Sequence, residues 1–319
     1  MQERWTQMTA ALTNVRADNF LKAWWTSRQG RVQNPQLFAR FKELVSSRSA
    51  AVEVSRDLLL TSEKYAAFEV ADDQLWSRYS EKARERVRNL KLLGAQQAHP
   101  VLLSALDKFS VRELERLLHL LEILIVRYQL VGGRRTGRLE TASARLAYQI
   151  FKEECTTASQ AAALVKDIFP NDDEFREDFR TKQETNNQKA RYLLMSLEIQ
   201  ARRRANMGTA AAEFDPSKIS LTVEHIFPKS PGEDWRDLQN QDPEFADDYT
   251  YRLGNLCLLT DVNRALGNKA FDRKKETFAK SGLLLTRSAS EFAQWDRIAV
   301  ENRQERMARL AVTFWRFDS

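Results

Sequence analysis

The stretch Glu224-His225-Ile226-Phe227-Pro228-Lys229-Ser230 follows an apolar alternation of Ile219, Leu221 and Val223. The apolar run ends on a histidine, one of only three in 319 residues. Downstream, Gly254-Asn255-Leu256 opens a second apolar run. Then comes Asn263-Arg264-Ala265-Leu266-Gly267-Asn268-Lys269, leading into a basic helical segment with Arg273, Lys274 and Lys275. The order is therefore an acidic residue beside a histidine, an asparagine opening a second apolar run, and an asparagine beside a basic helix.

Residues of these types suit metal-dependent phosphodiester hydrolysis. That reaction needs a base to deprotonate water, a cation to neutralise charge growing on the phosphate, and a group that holds the base in register. His225 is the expected base, because imidazole titrates near neutral pH. Glu224 and Asn263 offer oxygen ligands of the kind Mg²⁺ or Mn²⁺ accepts, and a single ion suffices. Asn255 is expected to hold, through its amide, the loop that carries His225; a plain turn residue after Gly254 is the alternative. Glu224 and His225 alternate along a strand, so they share one ion only if the strand bends where Pro228 ends it. Asn263 and Asn268 lie about 140° apart around a regular helix, so one of them at most is the ligand. Asn263 is the expected one. Asn268 is the alternative ligand, or an N-cap of the helix carrying Arg273.

Glu224-His225, Asn255-Leu256 and Asn263 resemble the HNH, or His-Me finger, nuclease motif in its H-N-N form. The longer string, EHIFPKS followed by YRLGNLCLLTDVNRALGNKAFDRKK, is similar to the C-terminal nuclease part of GmrSD-type modification-dependent restriction endonucleases. The resemblance covers Ile219 to Lys280 most closely and the flanking helices to Phe317 more loosely. It implies a ββα-metal finger, a divalent cofactor and endonuclease or nickase activity on DNA in anti-phage defence. Lys229, Arg273, Lys274 and Lys275 are thereby placed beside the cleavage site as DNA contacts. Members of that family carry a ParB-like nucleotide-hydrolysing domain ahead of the helical region. Asp18 to Lys42 is similar to the middle helical region, so that domain is expected as a partner outside this chain, which would be a separate subunit or a truncated form of a larger protein.

Ahead of the motif the chain reads as helix after helix. Apolar residues recur at three- and four-residue spacing in Asp18 to Trp25, Phe38 to Val45, Val111 to Leu130 and Ala190 to Ile199. Breaks are expected at Gly30, at His99-Pro100, at Gly132-Gly133 and at Pro170 to Asp173. The turn-rich Met207 to Pro216 marks the passage to the finger, and Ser288 to Trp315 is expected as one long amphipathic helix. The fold class is therefore mainly α: a helical domain over 1-200, then a nuclease domain over 201-319 with the embedded finger at about 219-280.

Net charge is +6 and the isoelectric point about 9.3, a moderate excess that suits a polyanionic partner. Two basic clusters are candidate DNA contacts, Arg134-Arg135 in a glycine-rich loop and Arg202-Arg203 just before the finger; ordinary solvated surface is the alternative. Cys155 and Cys257 have neither disulfide-scaffold nor zinc-ligand spacing. His99 and His119 have no acidic or cysteine partner at ligand spacing and read as structural. No apolar run spans a membrane and no signal peptide is visible, so a cytoplasmic protein is expected. Two competing functions stay open: a catalytically inactive helical module that binds DNA or a partner, and an RNA-directed nuclease.

Overall fold

Short polar residues start the helices of this protein. Ser47, Ser80 and Ser110 each accept the N–H three residues on, from Ala50, Ala83 and Glu113. Thr157 with Gln160, and Asn171 with Glu174, form reciprocal capping boxes. Gly94, at φ +69°, ends the helix Glu81–Leu93 in the left-handed conformation that favours glycine. The computed structural model describes residues 2–13, 15–205, 220–260 and 266–317. It is mainly α-helical, with one two-stranded sheet among the described residues. No helix among them is long and apolar enough to cross a membrane.

The chain divides into two units. The first, Met1–Phe169 with Phe317–Ser319, is helical among its described residues. The helices Ala17–Gln29, His99–Lys108 and Thr136–Phe151 pack on one another, and Glu81–Leu93 packs on Val111–Ile125. Val111–Ile125 buries Leu114, Leu117, Leu118, Leu121 and Leu124. His99 lies in this core, its ring 5.0 Å from Tyr65 and 5.3 Å from Phe68, which suits the structural role expected of it. Pro100 opens the helix His99–Lys108 from its first turn, where a missing N–H costs nothing. The run expected as helix through Leu130 changes at Val126 into a π-helical turn, Val126–Val131. The basic loop that follows is shorter than the sequence implied, because Thr136 already begins the next helix.

The second unit, Pro170–Arg316, starts where the capping box of Asn171 starts a helix, about thirty residues before the expected domain boundary near 200. The reason is packing. The helices Asp172–Thr181 and Asn187–Arg204 both lie against the C-terminal helix Arg297–Phe314, and Asn187–Arg204 also lies against the sheet. Strand β1, Leu221–His225, pairs antiparallel with β2, Leu256–Thr260, in a register that runs from Leu221 opposite Thr260 to His225 opposite Leu256. Phe271–Ala279 is the helix after β2. Phe227, Trp235, Phe245, Cys257, Phe271, Phe278 and Trp295 form the core behind the strands.

The expected single helix over Ser288 to Trp315 is divided. Leu284–Ser288 ends in a short turn, and a new helix starts at Arg297 with Asp296 as its N-cap, accepting from the Ala299 N–H at 2.8 Å. Phe292 and Trp295 sit in the connection between the two.

Candidate active site

Asn255 closes the turn Leu253–Asn255 that leads into β2, and it is fully buried. Its side-chain oxygen accepts from the Phe227 N–H at 2.8 Å and from Trp295 Nε1 at 2.9 Å. Its side-chain nitrogen donates to the Phe227 carbonyl at 2.9 Å and the Thr250 carbonyl at 3.0 Å. Its own carbonyl accepts from Ile226 N–H at 2.9 Å. The strand ladder that ends at His225 is thus carried two residues further by one asparagine. All the hydrogen-bonding capacity of a buried carboxamide is used, which is what its burial requires.

Gly254 beside it is glycine for a steric reason. A Cβ there would collide with the Val300 carbonyl and stand 2.9 Å from Val300 Cγ1. Two buried side chains of the C-terminal helix use that close approach. Gln304 accepts from Gly254 N–H at 3.0 Å and donates to the Phe179 and Lys182 carbonyls at 2.7 and 2.9 Å. Arg303 donates to the Gly254, Leu256 and Leu285 carbonyls. Burial lowers the Arg303 pKa to about 10, still high enough for a charged guanidinium at neutral pH.

On this frame His225 ends β1 with only 8% of its surface exposed. Its Nε2 is buried without a hydrogen-bond partner. The Tyr251 ring meets it edge-on at 5.6 Å, and Lys229 Nζ stands 5.4 Å from the same tyrosine ring. Burial, then the charges of Lys229 and Lys274, push the His225 pKa down to about 4. The imidazole is therefore neutral at physiological pH, the form in which it can take a proton.

Glu224 points elsewhere. Its Oε1 accepts from Lys274 Nζ at 2.9 Å, and the same ammonium donates to the His225 carbonyl at 2.7 Å. The bend that would let Glu224 and His225 share an ion is absent, since both remain in the ladder and the Glu224 carboxylate is engaged by Lys274. Among the described residues no group of three His, Cys, Asp or Glu could hold a metal ion. Asn263, the expected second ligand, lies outside the described residues. Glu224 keeps 23% of its side chain exposed, so a carboxylate donor of the type hard cations accept remains at the rim of the site.

The expected DNA contacts differ from one another. Lys229 and Arg273 are exposed. Lys274 is not a surface cation: its side chain is 0% exposed, turned inward to Glu224 and His225. Lys275 donates to the Phe292 carbonyl at 2.7 Å. Arg202 is likewise structural, because it is buried against Glu198 and donates to the Gly282 carbonyl at 2.6 Å. Arg203 is exposed, with its guanidinium 5.5 Å from the Phe314 ring. In the first unit Arg135 is exposed and Arg134 half-buried. Asn268 is exposed in a turn and caps no helix; the helix Phe271–Ala279 instead begins after Ala270, whose N–H donates to Asp234 Oδ2 at 3.0 Å.

Tyr251, Trp295, Arg303 and Gln304 complete the site without having stood out in the sequence. Only Tyr251 carried a usable signal, an aromatic residue four positions before the asparagine.

The geometry coincides with a family match. Residues 169–310 match the family of GmrSD restriction endonucleases, C-terminal domain. This segment is similar to the C-terminal domain of GmrSD-type restriction endonucleases. The GmrSD-type segment begins within one residue of the second unit, so the matched stretch and the independently packed stretch start together. It contains His225, Asn255, Gly254, Tyr251 and Lys274. No curated protein matches the chain.

Proposed function

We propose that this chain is an HNH-type endonuclease or nickase acting on DNA in a restriction system, with His225 as general base. The observation that carries the reading is a buried, neutral imidazole with an unpartnered Nε2, at a strand end beside the Asn255 clamp, inside the stretch that matches a restriction endonuclease domain. Nε2 would accept the proton of the attacking water. Asn255 keeps the backbone beyond His225 from shifting while it does so. The negative charge of a bound phosphodiester would raise the imidazole pKa from its resting value and so favour the transfer. Lys229 and Arg273, exposed in this unit, would hold flanking phosphates. Glu224 and Asn263 would hold a Mg²⁺ or Mn²⁺ ion, which would supply charge neutralisation at the scissile phosphate. Reading of the DNA modification would fall to a ParB-like nucleotide-hydrolysing partner.

One observation favours the competing reading of a docking module without chemistry: Lys274 already neutralises Glu224. Nicking of supercoiled plasmid with Mg²⁺ or Mn²⁺, against matched RNA, separates the readings. Cleavage lost by about 10² to 10⁴ in His225→Ala supports catalysis by this residue. Equal nicking by the folded mutant removes His225 from the role, and absence of any cleavage by the wild-type chain leaves the docking module.

A further inference from the structure

Three consecutive basic residues on the helix Phe271–Ala279 meet three different fates. Arg273 is exposed, Lys275 reaches a carbonyl at the rim, and Lys274 is entirely enclosed. Burying an ammonium carries a desolvation penalty that an apolar side chain of similar volume would avoid, so filling space does not explain a lysine here. Its contacts do. Nζ bonds the side chain of Glu224 and the main chain of His225, two successive residues of one strand, from a helix 50 positions further along the chain.

We propose that Lys274 is a positioning residue, whose ammonium pins the His225 carbonyl from one side while drawing the Glu224 carboxylate to itself. The proposal rests on the nuclease reading for its catalytic consequence only. The His225 backbone is then held at two neighbouring points: its carbonyl by Lys274, and the two peptides beyond it by Asn255. Neither clamp uses the imidazole, whose buried Nε2 keeps no hydrogen-bond partner. Alternation along the strand would by itself leave the Glu224 and His225 side chains divergent, and Lys274 fixes that divergence instead of relaxing it.

Two substitutions separate positioning from plain stability. Lys274→Met removes both bonds at similar volume. Lys274→Gln removes the charge but keeps a donor for the His225 carbonyl. In the full chain with Mn²⁺, Lys274→Met is expected to lower kcat by about 10-fold to 100-fold, with KM for plasmid within about twofold, as misplacement of a reacting group does. Mn²⁺ binding, followed by calorimetry, should be unchanged or tighter, since the freed carboxylate loses its competing cation. Lys274→Gln should recover a large part of the lost kcat. Amide exchange supplies a readout independent of cleavage: the Ile226 and Phe227 N–H groups should exchange about 10-fold faster in Lys274→Met than in Lys274→Gln, with helix amides elsewhere unaffected. Should Lys274→Met not fold, Lys274→Gln against wild type carries the comparison, and near-wild-type exchange at these two amides is the supporting result. Identical exchange and kcat in the two variants, or a raised Mn²⁺ requirement with kcat intact, overturns the proposal. If the wild-type chain cuts nothing, the nuclease reading fails while the exchange result still judges the clamp.

Discussion

Asn255 grips both polar groups of a single peptide residue, taking the Phe227 N–H at 2.8 Å and giving to the Phe227 carbonyl at 2.9 Å. A side chain here performs the pairing that a strand neighbour performs elsewhere in the sheet. Replacing it leaves the Phe227 N–H and carbonyl, the Thr250 carbonyl and the Trp295 N–H without this partner in a dry interior. Each such orphan costs about 1–3 kcal/mol. Asn255→Ala should therefore destabilise the second unit by at least about 3 kcal/mol in urea unfolding, far beyond the effect of His225→Ala. A loss under about 1 kcal/mol would mean water replaces the amide without penalty.

Acid stability should follow the histidines. Burial lowers His99 to about 4, and both His119 and His225 also fall to about 4. In each case the unfolded chain binds a proton below about 6.5 that the fold refuses. The stabilisation is complete above about 6.5 and is lost as pH falls through the interval down to about 4. For buried His99 the full interval corresponds to roughly 3 kcal/mol at 1.36 kcal/mol per decade. Urea midpoints at pH 7 and pH 5 test this, and His99→Gln should flatten the difference. An unchanged slope in that variant would show that His99 is not neutral in the fold.

Gly254→Ala should destabilise by about 1–3 kcal/mol through overpacking, because the atom it meets is the Val300 carbonyl of a helix that cannot step back. Asn268→Ala, by contrast, lies in an exposed turn and should stay within about 0.5 kcal/mol. Thermal unfolding of the two side by side checks the contrast. A larger shift for Asn268→Ala would restore the capping role expected of it in the sequence.

DNA binding by this chain should depend on salt through the cations that face water. Replacing Lys229 and Arg273 together with alanine should reduce the slope of log K against log salt by about 1.8, at roughly 0.9 per phosphate contact on duplex DNA. Lys275 should contribute little and Lys274 nothing. An unaltered slope in the double variant would move the DNA path away from the end of β1.

His225, Gly254 and Asn255 stood out in the sequence by their order, and the structure gives each a distinct place: an imidazole at a strand end, a position with no room for Cβ, and an amide that donates and accepts at once. The helical starts were legible from Ser80, Ser110, Thr157 and Asn171. The inward turn of Lys274 was not, since basic neighbours on a helix look alike until the rotation of the helix is fixed. The break before Arg297 was missed because Phe292, Trp295 and Ile298 continue the helical spacing through the gap. Asp296, a capping residue three positions before the Ala299 N–H it accepts, marked the true start. The unit boundary at Pro170 was visible as a break but not as a boundary, because what assigns Asp172–Thr181 to the second unit is a partner helix more than a hundred residues away.

Gln304 holds Gly254 from 50 positions later in the chain, and the Phe179 carbonyl from 125 positions later. The turn that orients Asn255 therefore lacks its support until the C-terminal helix has been made and has docked, whatever the state of the strands before it. During synthesis the ribosome would release β1 and β2 well ahead of that helix. A nascent chain would thus carry His225 exposed to solvent on an unclamped strand, and the centre would gain its geometry as one of the last events of folding. For a protein proposed to cut DNA, that order of assembly delays competence until the fold that confines it is in place.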